Sequence, residues 1–275
     1  MTIERPPGVD ALAAGYGPLL DRAREVFAAD ERVRAMWLHG AVARRAADAG
    51  SDLDIDIAVA DDAFEDFVAA WPAWLAAITP TVNVQPIPGL IGSFYALTPT
   101  CERLDVITER VSSVPSSFLT RRVTVFDRDG LTSLVPEPVD PPPDQGTIAY
   151  LITEPIRQAA NWPTVVVRKD WLLGVVAVEQ VHSLLYALFA EANKPQAPTG
   201  PKQWSHKLSG EHRRMLEALP VPQPEPTSVE QARRAALRLF FDEAPKIAAA
   251  NGVPWPAELA DAVLSFLERE GFAVD

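Results

Sequence analysis

Sulfur and imidazole are scarce in this chain of 275 residues: one cysteine, Cys101, and four histidines. A single thiol excludes an internal disulfide and a thiolate zinc site. His39, His182, His206 and His212 show no H-E-x-x-H spacing, so the helical zinc-hydrolase pattern is absent too. Positive charge is also in short supply. There are 25 Lys and Arg against 37 Asp and Glu, a formal net charge of −12 and a sequence isoelectric point near 4.8. Affinity for a nucleic-acid backbone comes largely from Lys and Arg neutralising phosphates, so no stable nucleic-acid binding is expected. Residues 67–101 lack charge altogether, but Pro72, Pro80, Pro86, Pro88 and Pro99 break the run, and Asn83 and Gln85 are polar. That stretch reads as a buried helix and strands, with no membrane as partner. The start of the sequence has no basic region followed by an apolar core, so no signal peptide is expected and the protein reads as cytoplasmic.

What is present is an ordinary globular composition, 48% hydrophobic and 23% charged, enough for one large or two small domains. Residues 136–143, PEPVDPPP, read as a stiff extended linker. The expected division is therefore 1–143 and 144–275. Before the linker the patterns predict helices over 10–29 and 62–78, the second capped by Asp62 and kinked at Pro72. Strands are predicted over 33–39, 52–60, 81–87, 93–98, 103–108 and 122–126, with alanine-rich residues 41–47 as the first turns of a helix. Beyond the linker the pattern is helical: 147–160, 168–192, 202–219, 228–250 and 255–271. The fold class is α+β, a mixed sheet with flanking helices followed by a helical bundle.

The chemistry concentrates in residues 37–60. The run Ser51-Asp52-Leu53-Asp54-Ile55-Asp56-Ile57 alternates carboxylate and aliphatic, the period of a half-buried strand. It puts Asp52, Asp54 and Asp56 on one face and Leu53, Ile55 and Ile57 on the other. Same-face neighbours on a strand lie roughly 6–7 Å apart. Carboxylates that close repel unless something cationic sits among them, and an all-oxygen ligand set suits magnesium. An acidic edge strand in water has the same pattern. A calcium loop of the D-x-D-x-D-G type does not, because Ile57 and Ala63 stand where it needs glycine and glutamate.

Residues 37–60 resemble the nucleotidyltransferase superfamily with the DNA polymerase β-like palm. Small bacterial members read G-S-x-A-R-G, a short loop, then S-D-x-D. Gly40, Ala43, Arg44, Ser51, Asp52 and Asp54 fall at those positions, with Ala41 where serine is usual and Arg45 where glycine is common. A helical domain after the palm-like one resembles the antibiotic-modifying members that act on aminoglycosides, streptomycin and lincosamides. The resemblance implies two magnesium ions held by Asp52, Asp54 and Asp105, the last a lone carboxylate in Arg103-Leu104-Asp105-Val106-Ile107. It implies ATP or another NTP bound at Gly40, Ala41, Arg44 and Ser51, with Lys202 and Lys207 on the far phosphates. Asp105 or Glu179 would take the acceptor's proton. Arg44 equally suits a helix surface, the two lysines solvent, and Glu179 and His182 a satisfied core or interface. Asp56 is expected behind the metal site or in solvent, and the reacting cleft between the two domains.

The function so implied is transfer of a nucleoside monophosphate, AMP from ATP, onto a hydroxyl of a small molecule such as an aminoglycoside-like antibiotic, hence antibiotic resistance. Two alternatives stand beside it: a toxin-type enzyme modifying protein or RNA, and a catalytically degenerate module that binds nucleotide or a partner. The acceptor, the preferred nucleotide and the oligomeric state are not written in the sequence.

Overall fold

The computed structural model describes residues 5–195 and 202–274. The chain divides between Val139 and Asp140, inside the proline-rich stretch, into two compact units. The first is a six-stranded sheet with helices: β1 (Val33–Leu38), β2 (Leu53–Val59), β3 (Asn83–Pro86), β4 (Phe94–Leu97), β5 (Arg103–Arg110) and β6 (Val123–Asp127). The strand order is β3-β4-β5-β2-β1-β6. β2 and β5 run parallel, and the other neighbours are antiparallel. The sheet is mixed, and the fold is α+β as expected.

Helices α1 (Tyr16–Ala29), α2 (Gly40–Ala43), α3 (Phe64–Ala69) and α4 (Trp71–Ile78) complete the unit. α1 buries Leu19, Leu20, Ala23 and Phe27, one helical face. That face packs in one core with Leu53, Ile55 and Ile57 of β2 and with Leu104 and Val106 of β5. Trp74 stacks at 5.4 Å on Phe67, meets Phe27 edge-on at 5.1 Å, and tilts against Phe94 at 5.4 Å. The aliphatic half of the period-two run is thus sealed. Its carboxylate half is left on the opposite face, where the core is the smaller group Ala35, Trp37, Ala58, Val114 and Leu131.

Two local expectations are corrected here. The helix over 62–78 is two helices, because Pro72 lies in the first turn of α4, where a missing N–H forfeits no bond. Pro72 starts a helix instead of kinking one, and Asp62 lies in a 3₁₀ turn, Asp61–Ala63, without capping. The helix over 41–47 is the single turn α2, stopped at Arg44 and at Arg45, whose φ is 57°.

The second unit holds α5 (Gln145–Ala159), α6 (Trp162–Arg168), α7 (Trp171–Ala192), α8 (Gly210–Glu217), α9 (Pro226–Ala250) and α10 (Ala257–Arg269) around a core that includes Ile152, Leu185, Phe189 and Phe240. The helix expected over 168–192 breaks at Lys169, φ 53°, and restarts where the Asp170 carboxylate accepts the Leu173 N–H at 3.0 Å. The helix expected over 202–219 is a 3₁₀ turn, Ser205–Lys207, followed by α8, which the Ser209 hydroxyl caps by accepting the His212 N–H at 3.0 Å. By length and composition α7 could cross a bilayer, but its Val178, Val181, Leu185 and Leu188 lie in the bundle core with α5 and α9 as neighbours.

Arg45 stands in the left-handed region in the place where the related motif commonly has glycine. A non-glycine residue held there costs about 1–3 kcal/mol. Glycine would relieve that and give back about 0.4–1 kcal/mol through a freer unfolded chain. Arg45→Gly is therefore expected to stabilise the sheet unit by about 1 kcal/mol. Chemical denaturation of the variant checks this, and an unchanged or lower midpoint would contradict it.

Candidate active site

The site grows from the β2–β5 ladder. Asp54 and Asp105 are register partners across the one parallel pair, so both carboxylates stand on the same face of adjoining strands. Neighbouring strands are about 4.8 Å apart. On the outer flank of Asp105, Tyr95 is its partner on β4. On the other flank of Asp54, the His39 N–H donates to the Asp54 carbonyl at 3.0 Å, extending the β1–β2 ladder by one step. One row across the sheet thus reads Tyr95, Asp105, Asp54, His39.

After His39 the chain must turn away without striking Asp54. Gly40 does this with φ 60°, and a Cβ on it would land inside the Asp54 carboxylate. The glycine is fixed by two demands at once, a left-handed backbone and close approach. Arg44, four residues on, is half-buried and its Nε has no acceptor among the described residues. Burial lowers the Arg44 pKa, the Asp54 charge opposes that, and Arg121 adds to it. Arg44 thus lies in the field of Asp54 rather than on an open helix surface. The His39 imidazole pKa is lowered mainly by its burial, against Asp54, with Arg122 and Arg44 lowering it further; its Nε2 has no partner among the described residues. It is a neutral group beside the carboxylate at neutral pH.

The three aspartates of the alternating run have different surroundings. Asp52, just before β2, is ion-paired to Arg103, whose guanidinium also donates to the Gly50 carbonyl at 2.6 Å. Asp54 makes no ion pair among the described residues. Asp56 is fully buried, not in solvent, and Arg122 approaches it at 2.7 Å. The Asp56 pKa is pushed well up by burial first, and by Glu109 second, against the pull of Arg122. Arg122, itself sealed, donates to Glu109 at 2.6 Å, to the Leu119 carbonyl at 2.6 Å and to the Ser117 hydroxyl at 2.6 Å. It stacks 4.5 Å from the Trp37 ring. Burial is what chiefly holds Asp56 above the ordinary carboxylate range, and the charge of Glu109, which shares Arg122 with it, adds to that.

The remaining expected residues are placed as follows. Ala41 is buried in α2, and its carbonyl accepts the Ala46 N–H at 3.0 Å. The Ser51 hydroxyl contacts Asp48 Oδ1 at 3.1 Å and accepts the Asp48 N–H at 3.1 Å, closing the turn before β2. In the helical unit, Glu179 is exposed on α7 with His182 Nδ1 at 3.8 Å, Lys207 ends the turn Ser205–Lys207, and Lys202 is exposed. Sequence reasoning missed His39, Arg103, Glu109 and Arg122. The only signal for His39 is its place beside Gly40. The arginines give none, because a basic residue next to a strand does not say which carboxylate it will meet.

An all-oxygen pair, Asp54 with Asp105, has the donor chemistry of a magnesium site. Among the described residues no three His, Cys, Asp or Glu side chains are gathered closely enough to hold a metal as they stand. Asp52, the third expected ligand, is not gathered with that pair and is ion-paired to Arg103.

The Gly40 contact can be isolated from the backbone effect. Gly89 also has positive φ, 80°, with nothing within 4 Å of its Cβ position. Gly89→Ala is expected to cost the backbone term alone, about 1–3 kcal/mol. Gly40→Ala should cost more, by the displacement of Asp54. Parallel urea denaturation of the two variants checks this, and equal costs would remove the Gly40–Asp54 contact from the account.

No protein-family model matches the chain, and no curated protein matches it. Solved structures do. An aminoglycoside 6-adenyltransferase from Bacillus subtilis, 15% identical, aligns over 92% of this chain and 97% of its own, with a TM-score of 0.41. A nucleotidyltransferase-like protein from Exiguobacterium sibiricum, 12% identical, aligns over 90% and 89%, with a TM-score of 0.32. A cyclic dinucleotide synthase from Elizabethkingia meningoseptica, solved with GTP and Apcpp, is 12% identical over 92% and 88%, with a TM-score of 0.29. All three stand at low sequence identity.

Proposed function

We propose that the chain is a magnesium-dependent nucleotidyltransferase that moves a nucleoside monophosphate, AMP from ATP, onto a hydroxyl of a small molecule. The observation that carries this reading is the register pairing of Asp54 with Asp105, with Gly40 packed against the Asp54 carboxylate. Magnesium bound there would neutralise charge on the phosphoryl oxygens and favour loss of the acceptor's proton. Asp54 and Asp105 would hold the ion, with Asp52, ion-paired to Arg103, as the third expected ligand. Gly40 lets a phosphate approach the backbone, and Arg44 supplies positive charge beside Asp54. Asp105 accepts the proton of the attacking hydroxyl. His39, neutral and half-buried, flanks Asp54 without adding a charge of its own.

Ala41, Ser51, Lys202, Lys207 and Glu179 enter the reading through the motif resemblance. Lys202 and Lys207 are assigned to the leaving pyrophosphate and Glu179 to the acceptor. The surplus of Asp and Glu, at a net charge of −12, suits a cationic acceptor such as an aminoglycoside. A cytoplasmic enzyme of antibiotic resistance is the corresponding setting.

The test incubates the intact chain with labelled ATP, magnesium and a panel of hydroxyl-bearing small molecules, and follows pyrophosphate release with labelling of the acceptor. Transfer is expected with wild type, and Asp54→Asn or Asp105→Asn should lower it at least about a hundredfold, as loss of a principal electrostatic group does. Labelling of protein or RNA instead would move the reading to the toxin-type enzymes. ATP binding with no pyrophosphate release for any acceptor would replace the enzyme by a binding module.

A further inference from the structure

The row of side chains on the carboxylate face of the sheet does not end at Asp105. Tyr95 is its register partner on β4, and Gln85 is the register partner of Tyr95 on β3. The other face of these strands is apolar and sealed: Phe94, Ala96, Leu104 and Val106 lie in the core, with Val84 packed against it. Alternation along each strand therefore turns Tyr95 and Gln85 to the side that carries Asp105. From β3 to the end of β1 the row reads Gln85, Tyr95, Asp105, Asp54, His39. Tyr95 is 46% exposed, and Gln85 is exposed as well. No hydrogen bond within the described residues holds the Tyr95 hydroxyl or the Gln85 amide. A large aromatic ring and an amide are thus presented beside Asp105 at the outer end of the sheet.

The two ends of the row differ in chemistry. The proposed phosphate contacts, Gly40 and Arg44, are at the β1 end, next to Asp54. At the other end, β3 (Asn83–Pro86) and β4 (Phe94–Leu97) contain no Lys, Arg, Asp or Glu. In-line displacement puts the attacking and leaving oxygens on opposite sides of the phosphorus. With the phosphates at the β1 end, the attacking group comes from the β4 and β3 end, past Asp105. From Asp105 to Gln85 is two strand spacings, about 10 Å, which one six-membered ring and its substituents bridge. A tyrosine ring offers a flat apolar face with a polar tip. An amide both donates and accepts, as a pair of neighbouring hydroxyls requires. A saturated ring with C–H groups on its face and hydroxyls at its rim matches both.

We propose that Tyr95 and Gln85 form the acceptor subsite, and that the acceptor is a sugar ring stacked on Tyr95 with its hydroxyls on the Gln85 amide. The proposal rests on the nucleotidyl-transfer reading, whose acceptor it identifies by chemical class. In that reaction the sugar oxygen bonds to the α-phosphorus as the bond to pyrophosphate breaks, and the hydroxyl proton passes to Asp105. Tyr95 and Gln85 take no part in these bond changes. They hold the ring so that one hydroxyl faces Asp105.

Saturation-transfer NMR on the intact chain, with glucosamine and methyl glucoside as millimolar probes, reads the subsite without turnover. At least one sugar is expected to receive saturation at its ring C–H protons. Tyr95→Ala should weaken that sugar about three- to tenfold, the worth of an aromatic contact. Gln85→Ala should weaken it severalfold, and Tyr95→Phe, which keeps the ring, much less. Calorimetry with α,β-methylene-ATP and magnesium should give one affinity for wild type and Tyr95→Ala, which also reports that the variant is folded. No sugar binding to wild type, or sugar binding undiminished by Tyr95→Ala and Gln85→Ala, would overturn the subsite and leave the transfer reading standing. An analogue weakened by Tyr95→Ala would assign Tyr95 to the nucleotide and overturn the subsite too. Wild type that fails to bind the analogue would remove the transfer reading, and the subsite with it.

Discussion

Repulsion among carboxylates on one face of β2 is the constraint around which the sheet unit is arranged. Asp52, Asp54 and Asp56 alternate with aliphatics that must be buried, so the fold cannot turn any of them away without exposing Leu53, Ile55 or Ile57. A one-residue slip would move the whole set to the wrong side. The outer two are met by arginines from other parts of the unit, Asp52 by Arg103 on β5 and Asp56 by Arg122 just before β6. Asp54, in the middle, is left with the field of Arg44 and a neutral His39. That selective neutralisation is what favours the proposed ligand role of Asp54 over an acidic edge strand.

The Asp56 end shows how far the fold goes to hold this arrangement. Burying an ion pair gains little net stability, but removing one partner of it costs about 3–5 kcal/mol. Arg122 is therefore fastened from every side, by Glu109, by two oxygens of the loop before β6 and by the Trp37 ring. Trp37 is in turn fixed by its indole N–H, which donates to the Thr132 hydroxyl at 2.8 Å. The face carrying Asp54 and Asp105 is thus flanked by a locked polar cluster, while the large apolar core lies on the other face of the sheet. β1 and β6 are pinned beside β2 through that cluster, and it fixes where His39 and Gly40 emerge.

Period-two alternation is legible from the amino-acid order alone, because one strand face must be apolar and its residues are contiguous. The same holds for the division of the chain into a sheet-containing half and a helical half, and for Asp105 as a lone carboxylate between aliphatics. Contacts between residues far apart in the chain are not legible in that way. Arg122 meets an aspartate 66 positions earlier, and no local pattern encodes that meeting. Helix ends escape the pattern wherever one residue decides them: Pro72 opening α4, Lys169 adopting a left-handed φ before α7, Ser209 capping α8. Gly40 is recognisable from the motif, but its physical reason, the Asp54 carboxylate lying where a Cβ would be, belongs to the packed site alone.

The central claim is that Asp54 and Asp105, paired across β2 and β5, form the metal-holding part of the site. Manganese binding followed by electron paramagnetic resonance, without nucleotide or acceptor, tests it directly. The account predicts that wild type binds the ion, that Asp54→Asn and Asp105→Asn each weaken it at least about tenfold, and that a surface control, Asp261→Asn on α10, leaves it unchanged. Wild-type affinity in both site variants would contradict the claim.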